Sequence, residues 1–220
     1  MDESTVAEAV ARGNPVVFLD ISIGGQAAGR ISLELFKGLC PRAAENFLAL
    51  CCGGLRLRGA PVGYKGSRIH RVIPGFMLQG AQARRAGGQA GGRAASSSRR
   101  RCHPSPLLFP PRAGGDFVKG DGTGRACLWG DRFADEPAGL RARHAGPGLL
   151  AMANSGPDTN ACQWYITLAR AEHLDGRHVI FGRCLDASSL LVCKKIERIP
   201  THVATGKPTI DIVVDECGEL

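Results

Sequence analysis

The chain has no apolar run near the ~18 residues that a membrane-spanning helix needs, and only 5% of its 220 residues are aromatic. Its nine cysteines are an odd number and contain no CxxC pair. Adjacent Cys51-Cys52 falls on an apolar helical pattern, not on a metal-ligand spacing, so neither a zinc site nor a disulfide framework is expected. The thiols are read as reduced and mostly buried. The opening MDESTVAEAVARG carries acidic residues where a secretory leader would be basic, so the expected location is cytoplasm, nucleus or both. GDGTG at 120–124 lacks the Lys-Ser/Thr that completes a phosphate loop, which argues against a nucleotide site. No cofactor is expected.

What the chain does have is charge in one place. Its formal net charge is +8, yet seven arginines and no acidic residue or lysine lie within 81–114, so the remainder carries only +1. Basicity therefore belongs to one segment, and direct nucleic-acid binding by the folded part is not expected. That segment, AQARRAGGQAGGRAASSSRRRCHPSPLLFPPRAG, has no periodic apolar face and is expected to be disordered. It reads either as a natural loop or as non-coding sequence carried into the chain.

The chain's 220 residues are enough for one domain with a full core. Residues 1–13 read as a flexible polar lead, and 14–220 as a single domain interrupted at 81–114. Val16 to Ile23 and Ala28 to Phe36 read as two strands joined across Gly24-Gly25. A helix follows Pro41, with Ala44, Phe47, Leu48 and Cys51 at i, i+3, i+4 and i+7, and Gly53-Gly54 ends it. Short strand-like runs at 68–73, 76–80, 148–153, 162–168, 178–182 and 209–214 alternate with Gly, Pro and Asn turns. A second helix fits 187–198. The expectation is a mainly β domain with two helices, patterned as a small barrel.

The densest stretch is SRIHRVIPGFMLQG, residues 67–80. Counting by twos along strands that turn at Pro74-Gly75 gives Arg71, Met77 and Gln79 one parity, so an arginine, a thioether and an amide are expected to face one groove.

Taken with PGLLAMANSGPDTNACQWYI (147–166) and AEHLDGRHVIFG (171–182), this stretch resembles the cyclophilin family of peptidyl-prolyl isomerases. The likeness runs from NPVVFLDISIGG at 14–25 to the closing DECGEL. Within the family, GGLRLRGAPVGYKGS (53–67) and the CGEL ending are most similar to the H-type members, which are associated with spliceosomal small nuclear ribonucleoproteins.

The resemblance implies a closed eight-stranded antiparallel barrel, a monomeric domain, and rotation of Xaa-Pro bonds in peptides and proteins without a cofactor. It implies that Arg71 is the catalytic donor. Phe76, Met77, Tyr165 and Leu174 would wall the proline slot, Gln79, Ala153, Asn154, Gln163 and His178 would hold the peptide backbone, and Gly122 would border the neighbouring groove.

Two positions depart from the family: Tyr165 stands where phenylalanine is usual, and His173 where many members have tryptophan. A buried Tyr165 hydroxyl needs a partner, and His173 is expected to weaken cyclosporin binding more than catalysis. In cyclophilins Gly80 would be followed at once by Gly115, so the segment 81–114 separates residues expected to be peptide neighbours. Closing such a loop costs only about 3 kcal/mol beyond a constant, which a barrel can sustain. The competing expectation is a barrel that docks a splicing protein with its catalysis impaired by the insert and Tyr165.

Overall fold

A computed structural model describes residues 3–57, 60–80, 84–85 and 126–220. The chain order is α1 (Glu3–Ala11), β1 (Val16–Ile23), β2 (Gln26–Leu35), α2 (Pro41–Cys52), β3 (Leu55–Leu57), β4 (Ala60–Gly63), β5 (Ile69–Ile73), β6 (Met77–Gly80) and β7 (Arg84–Arg85). There follow α3 (Pro137–Arg141), β8 (Leu149–Met152), β9 (Trp164–Thr167), a 3-10 turn (Glu172–Leu174), β10 (Ile180–Cys184), α4 (Ala187–Glu197) and β11 (Ile212–Glu219).

Eight antiparallel strands run in the order β11-β1-β2-β10-β8-β9-β6-β5. The seam between β5 and β11 is held by a bridge from Arg68 to Val213 and by hydrogen bonds from Gly66 N–H to the Val214 carbonyl (2.7 Å) and from Val214 N–H to the Ser67 carbonyl (2.9 Å). The barrel is thus nearly closed. A regular ladder does not complete it, which corrects the expectation of full closure.

Two-residue alternation sorts side chains between the two faces of this wall. Val72, Leu78, Leu150, Met152, Trp164, Ile166 and Phe181 point into the main core. Their neighbours Ile73, Met77, Ala151, Tyr165 and Ile180 form a second apolar cluster on the outer face. Four aromatics gather inside, where α2 brings Phe47 within 5.0 Å of Tyr64, 5.8 Å of Trp164 and 5.4 Å of Phe181, centroid to centroid. These rings anchor the interior, since each buries a large apolar area.

Local signals explain both expected helices. Pro41 occupies the first turn of α2, and Gly53 ends it at φ 68 in the left-handed region that glycine adopts without strain. Cys40 offers no side-chain cap, and the Glu136 carboxylate replaces it by accepting from the N–H groups of Arg42 and Ala43, both at 2.9 Å. Asp186 caps α4 by accepting from Ser189 N–H at 2.7 Å.

Among the described residues, two further α-helices correct the expectation of two. One is five-residue α3. The other is α1, which forms where a flexible lead was expected, because ESTVAEAVA is rich in strong helix formers and Ala9 is fully buried. Arg12 and Asn14, just past α1, hold Glu34 on β2: its Oε1 accepts from Arg12 Nε (3.1 Å) and Asn14 Nδ2 (2.8 Å). Its Oε2 accepts from Arg183 Nε at 2.9 Å.

Within 81–114, Arg84–Arg85 extends a small sheet in the order β3-β4-β7. The rest of that segment, and the expectation of disorder placed on it, lie outside the described residues. The eight described cysteines are thiols, and Cys40, Cys51, Cys127, Cys162 and Cys193 are buried.

Candidate active site

The candidate site is a row of side chains across five strands on the outer face of the barrel. Arg71 on β5 pairs with Gln79 on β6, Gln79 with Tyr165 on β9, Tyr165 with Ala151 on β8, and Ala151 with Ile180 on β10. Directly paired residues share a face, so register alone aligns the arginine, the amide and the aromatic floor. Ile73 pairs with Met77 one step along, on the same face. The parity expected for Arg71, Met77 and Gln79 therefore holds.

The turn between β5 and β6 makes this register possible. Pro74 is followed by Gly75 at φ 68, and Phe76 N–H donates to the Ile73 carbonyl at 3.1 Å, a tight turn of the kind Pro-Gly favours. Glu197 from α4 accepts from Gly75 N–H at 2.7 Å and fixes the turn from outside. Phe76 then lies half-buried at the edge of the outer cluster with Leu174 and Ala153.

Polar groups border the apolar floor. Gln79 Nε2 donates to Gln163 Oε1 at 3.0 Å, which ties the two amides together. Ala153 N–H donates to the Gln163 carbonyl at 3.0 Å, and Asn154 Nδ2 reaches the Arg177 carbonyl at 2.9 Å. His178 Nδ1–H donates to the Met152 carbonyl at 3.0 Å, and its ring meets Tyr165 edge-on at 5.5 Å. Burial lowers the His178 pKa, so its imidazole is neutral near pH 7 with Nε2 left as an acceptor. Arg71 is exposed, and its stem rests on the turn at Gly206. A Cβ at Gly206 would stand 3.1 Å from Arg71 Cγ and 3.2 Å from the Val72 carbonyl oxygen. His173 is exposed, with its ring 4.9 Å from that of Phe76 at the rim.

Arg71, Phe76, Met77, Gln79, Ala153, Asn154, Gln163, Tyr165, His173, Leu174 and His178 are thus brought to one face. Gly122 lies outside the described residues. Among the described residues no group of three or more His, Cys, Asp or Glu side chains is arranged to hold a metal ion.

Comparison with known proteins decides the family. A family model described as cyclophilin type peptidyl-prolyl cis-trans isomerase/CLD matches residues 18–219. The chain belongs to the cyclophilin-type peptidyl-prolyl isomerases. Relatives include peptidyl-prolyl cis-trans isomerase CYP22 of Arabidopsis thaliana, 43% identical over 94% of this chain and 85% of that protein. Peptidyl-prolyl cis-trans isomerase H of Rhizopus delemar is 42% identical over 94% of both chains. Peptidyl-prolyl cis-trans isomerase 11 of Caenorhabditis elegans is 42% identical over 94% of this chain and 92% of that protein.

Sequence reasoning missed two residues behind this candidate site. Tyr165 is only 4% exposed, and its hydroxyl lies 2.7 Å from Nε2 of His144, which is fully buried. Nδ1 of His144 lies 2.9 Å from Asp175 Oδ1, and the His144 backbone N–H donates to the same oxygen at 2.8 Å. The demand for a partner is legible in a buried tyrosine, but its identity is not: His144 sits 21 residues away in a loop, with no periodicity that points at Tyr165.

Proposed function

We propose that this row catalyses cis/trans rotation of Xaa-Pro bonds, with Arg71 as the catalytic donor. Twisting the bond breaks amide resonance against a barrier of ~18–20 kcal/mol and leaves a lone pair on the prolyl nitrogen. A guanidinium aimed at that nitrogen is a better partner for the twisted state than for the planar one, which is the requirement for acceleration. Arg71 is permanently charged and carries its donors in a rigid fork. The pairing of Arg71 with Gln79, and of Gln79 with Tyr165, carries the reading. It sets a cation beside an amide that can hold a peptide backbone and an apolar floor that can take the proline ring.

Phe76, Met77, Tyr165 and Leu174 wall the slot in this proposal, and Gln79, Ala153, Asn154, Gln163 and His178 fix the backbone. His173 closes the rim over Phe76. A spliceosomal small nuclear ribonucleoprotein partner, a nuclear as well as cytoplasmic location and a monomeric domain complete the proposal. They rest on the likeness of 53–67 and the CGEL ending to H-type members.

The test is the isomerisation rate of an Ala-Pro peptide with the full chain, run beside a chain lacking 81–114. Both are expected to accelerate exchange, with the shortened chain within about threefold of the full one, since the loop's main cost falls on closure. Activity in the shortened chain alone would assign the full chain a binding role. No activity in either, while both are folded, would refute the proposal.

A further inference from the structure

Tyr165 gives the slot an aromatic floor and also a hydroxyl, which a proline ring cannot satisfy. The structure shows where that hydroxyl goes. It meets His144 Nε2 at 2.7 Å, and the two ring planes lie 15° from parallel. Asp175 Oδ1 accepts twice from His144, from its backbone N–H at 2.8 Å and from its ring at 2.9 Å. That second bond places the proton on Nδ1, so Nε2 accepts from the tyrosine hydroxyl. The His144 carbonyl in turn accepts from Ala171 N–H at 2.9 Å, on the approach to the 3-10 turn that presents Leu174. One short segment, 171–175, therefore supplies a slot wall and the anchor for His144.

Resting on the proposed prolyl slot, we infer that His144 and Asp175 are positioning residues of this site. They turn the Tyr165 hydroxyl behind the slot and keep an apolar ring face toward the substrate. Neither touches the reacting bond. Their effect passes through Tyr165 and falls on proline affinity more than on the rotation step, because a misplaced or unpaired hydroxyl disturbs ground state and transition state alike.

The inference is tested by kcat and KM of the full chain for an Ala-Pro peptide, with His144→Leu and Asp175→Ala each made in the parent and in a Tyr165→Phe background. In the parent, His144→Leu is expected to raise KM about tenfold, the loss expected from one unpaired buried hydroxyl, with kcat changed less than about threefold. Asp175→Ala, at a partly exposed side chain (28%), is expected to raise KM about threefold and keeps the test decisive if His144→Leu does not fold. In the Tyr165→Phe background each substitution is expected to change KM less than about twofold, because the hydroxyl that needs them is gone. An unmoved KM in the parent, or equal rises in both backgrounds, would overturn the inference, since a merely structural role ignores the tyrosine. A folded parent chain without turnover would refute the slot reading itself, and this inference with it.

Discussion

Arg71→Ala is expected to lower kcat/KM for Xaa-Pro peptides by roughly 10²–10³-fold, the usual cost of removing one donor that acts on the transition state. Peptide affinity is expected to change far less, because Gln79, Gln163, Tyr165 and the apolar walls remain. Arg71→Lys separates charge from geometry. Lysine keeps the charge and loses the planar fork, so it is expected to recover only part of the loss. The fold is expected to hold in both variants, since Arg71 is exposed and its neighbours Ile69 and Val72 supply the buried face of β5. Peptide exchange rates and binding isotherms on the same samples check the result, and loss of binding in parallel with turnover would count against a donor role.

The second large effect is on stability. Glu34 is buried on β2 and receives hydrogen bonds from Asn14, Arg183 and Arg12. Burial alone would raise its pKa, and the three donors outweigh that and leave it below the usual glutamate value. A depressed folded pKa means stability that is fully present above the unfolded value, about 4.3, and lost as pH falls through the folded one.

Glu34→Gln is therefore expected to destabilise by about 2–3 kcal/mol at pH 7. That is less than the ~3–5 kcal/mol of a fully buried pair, because Arg12 and Arg183 are about half exposed and can turn to water. The gap to the parent should shrink in acid, as pH falls through the depressed folded pKa and Glu34 itself is neutralised. Urea unfolding at the two pH values measures it, and a gap that does not depend on pH would contradict the ion-pair account.

Much of the architecture was legible because strand and helix periods dominate it. Val16–Ile23 was found with its observed bounds, and the register of Arg71 with Gln79 follows from parity once Pro74-Gly75 is read as a turn. The misses have specific causes. α1 carries little apolar pattern of its own, so only docking by Ala9 and Arg12 reveals it. The last strand was expected to end at 214, because DECGE reads as a polar tail. It continues to Glu219 by pairing with β1, with Val17 opposite Glu219 and Asp20 opposite Glu216, and Lys65 pairs with Glu216. The contact between Gly206 and Arg71 joins segments 135 positions apart, and no local rule reaches that far. The His144 partner of Tyr165 was hidden for the same reason.

The most direct test of the central claim is nuclear magnetic resonance of the full chain with a labelled Ala-Pro peptide, observing peptide exchange and protein amide shifts together. Exchange cross-peaks between cis and trans peptide are expected at catalytic protein concentrations. Shift changes are expected to centre on Arg71, Gln79, Ala153, Gln163, Tyr165 and His178. Exchange at the uncatalysed rate, or shifts confined to another face of the barrel, would contradict it.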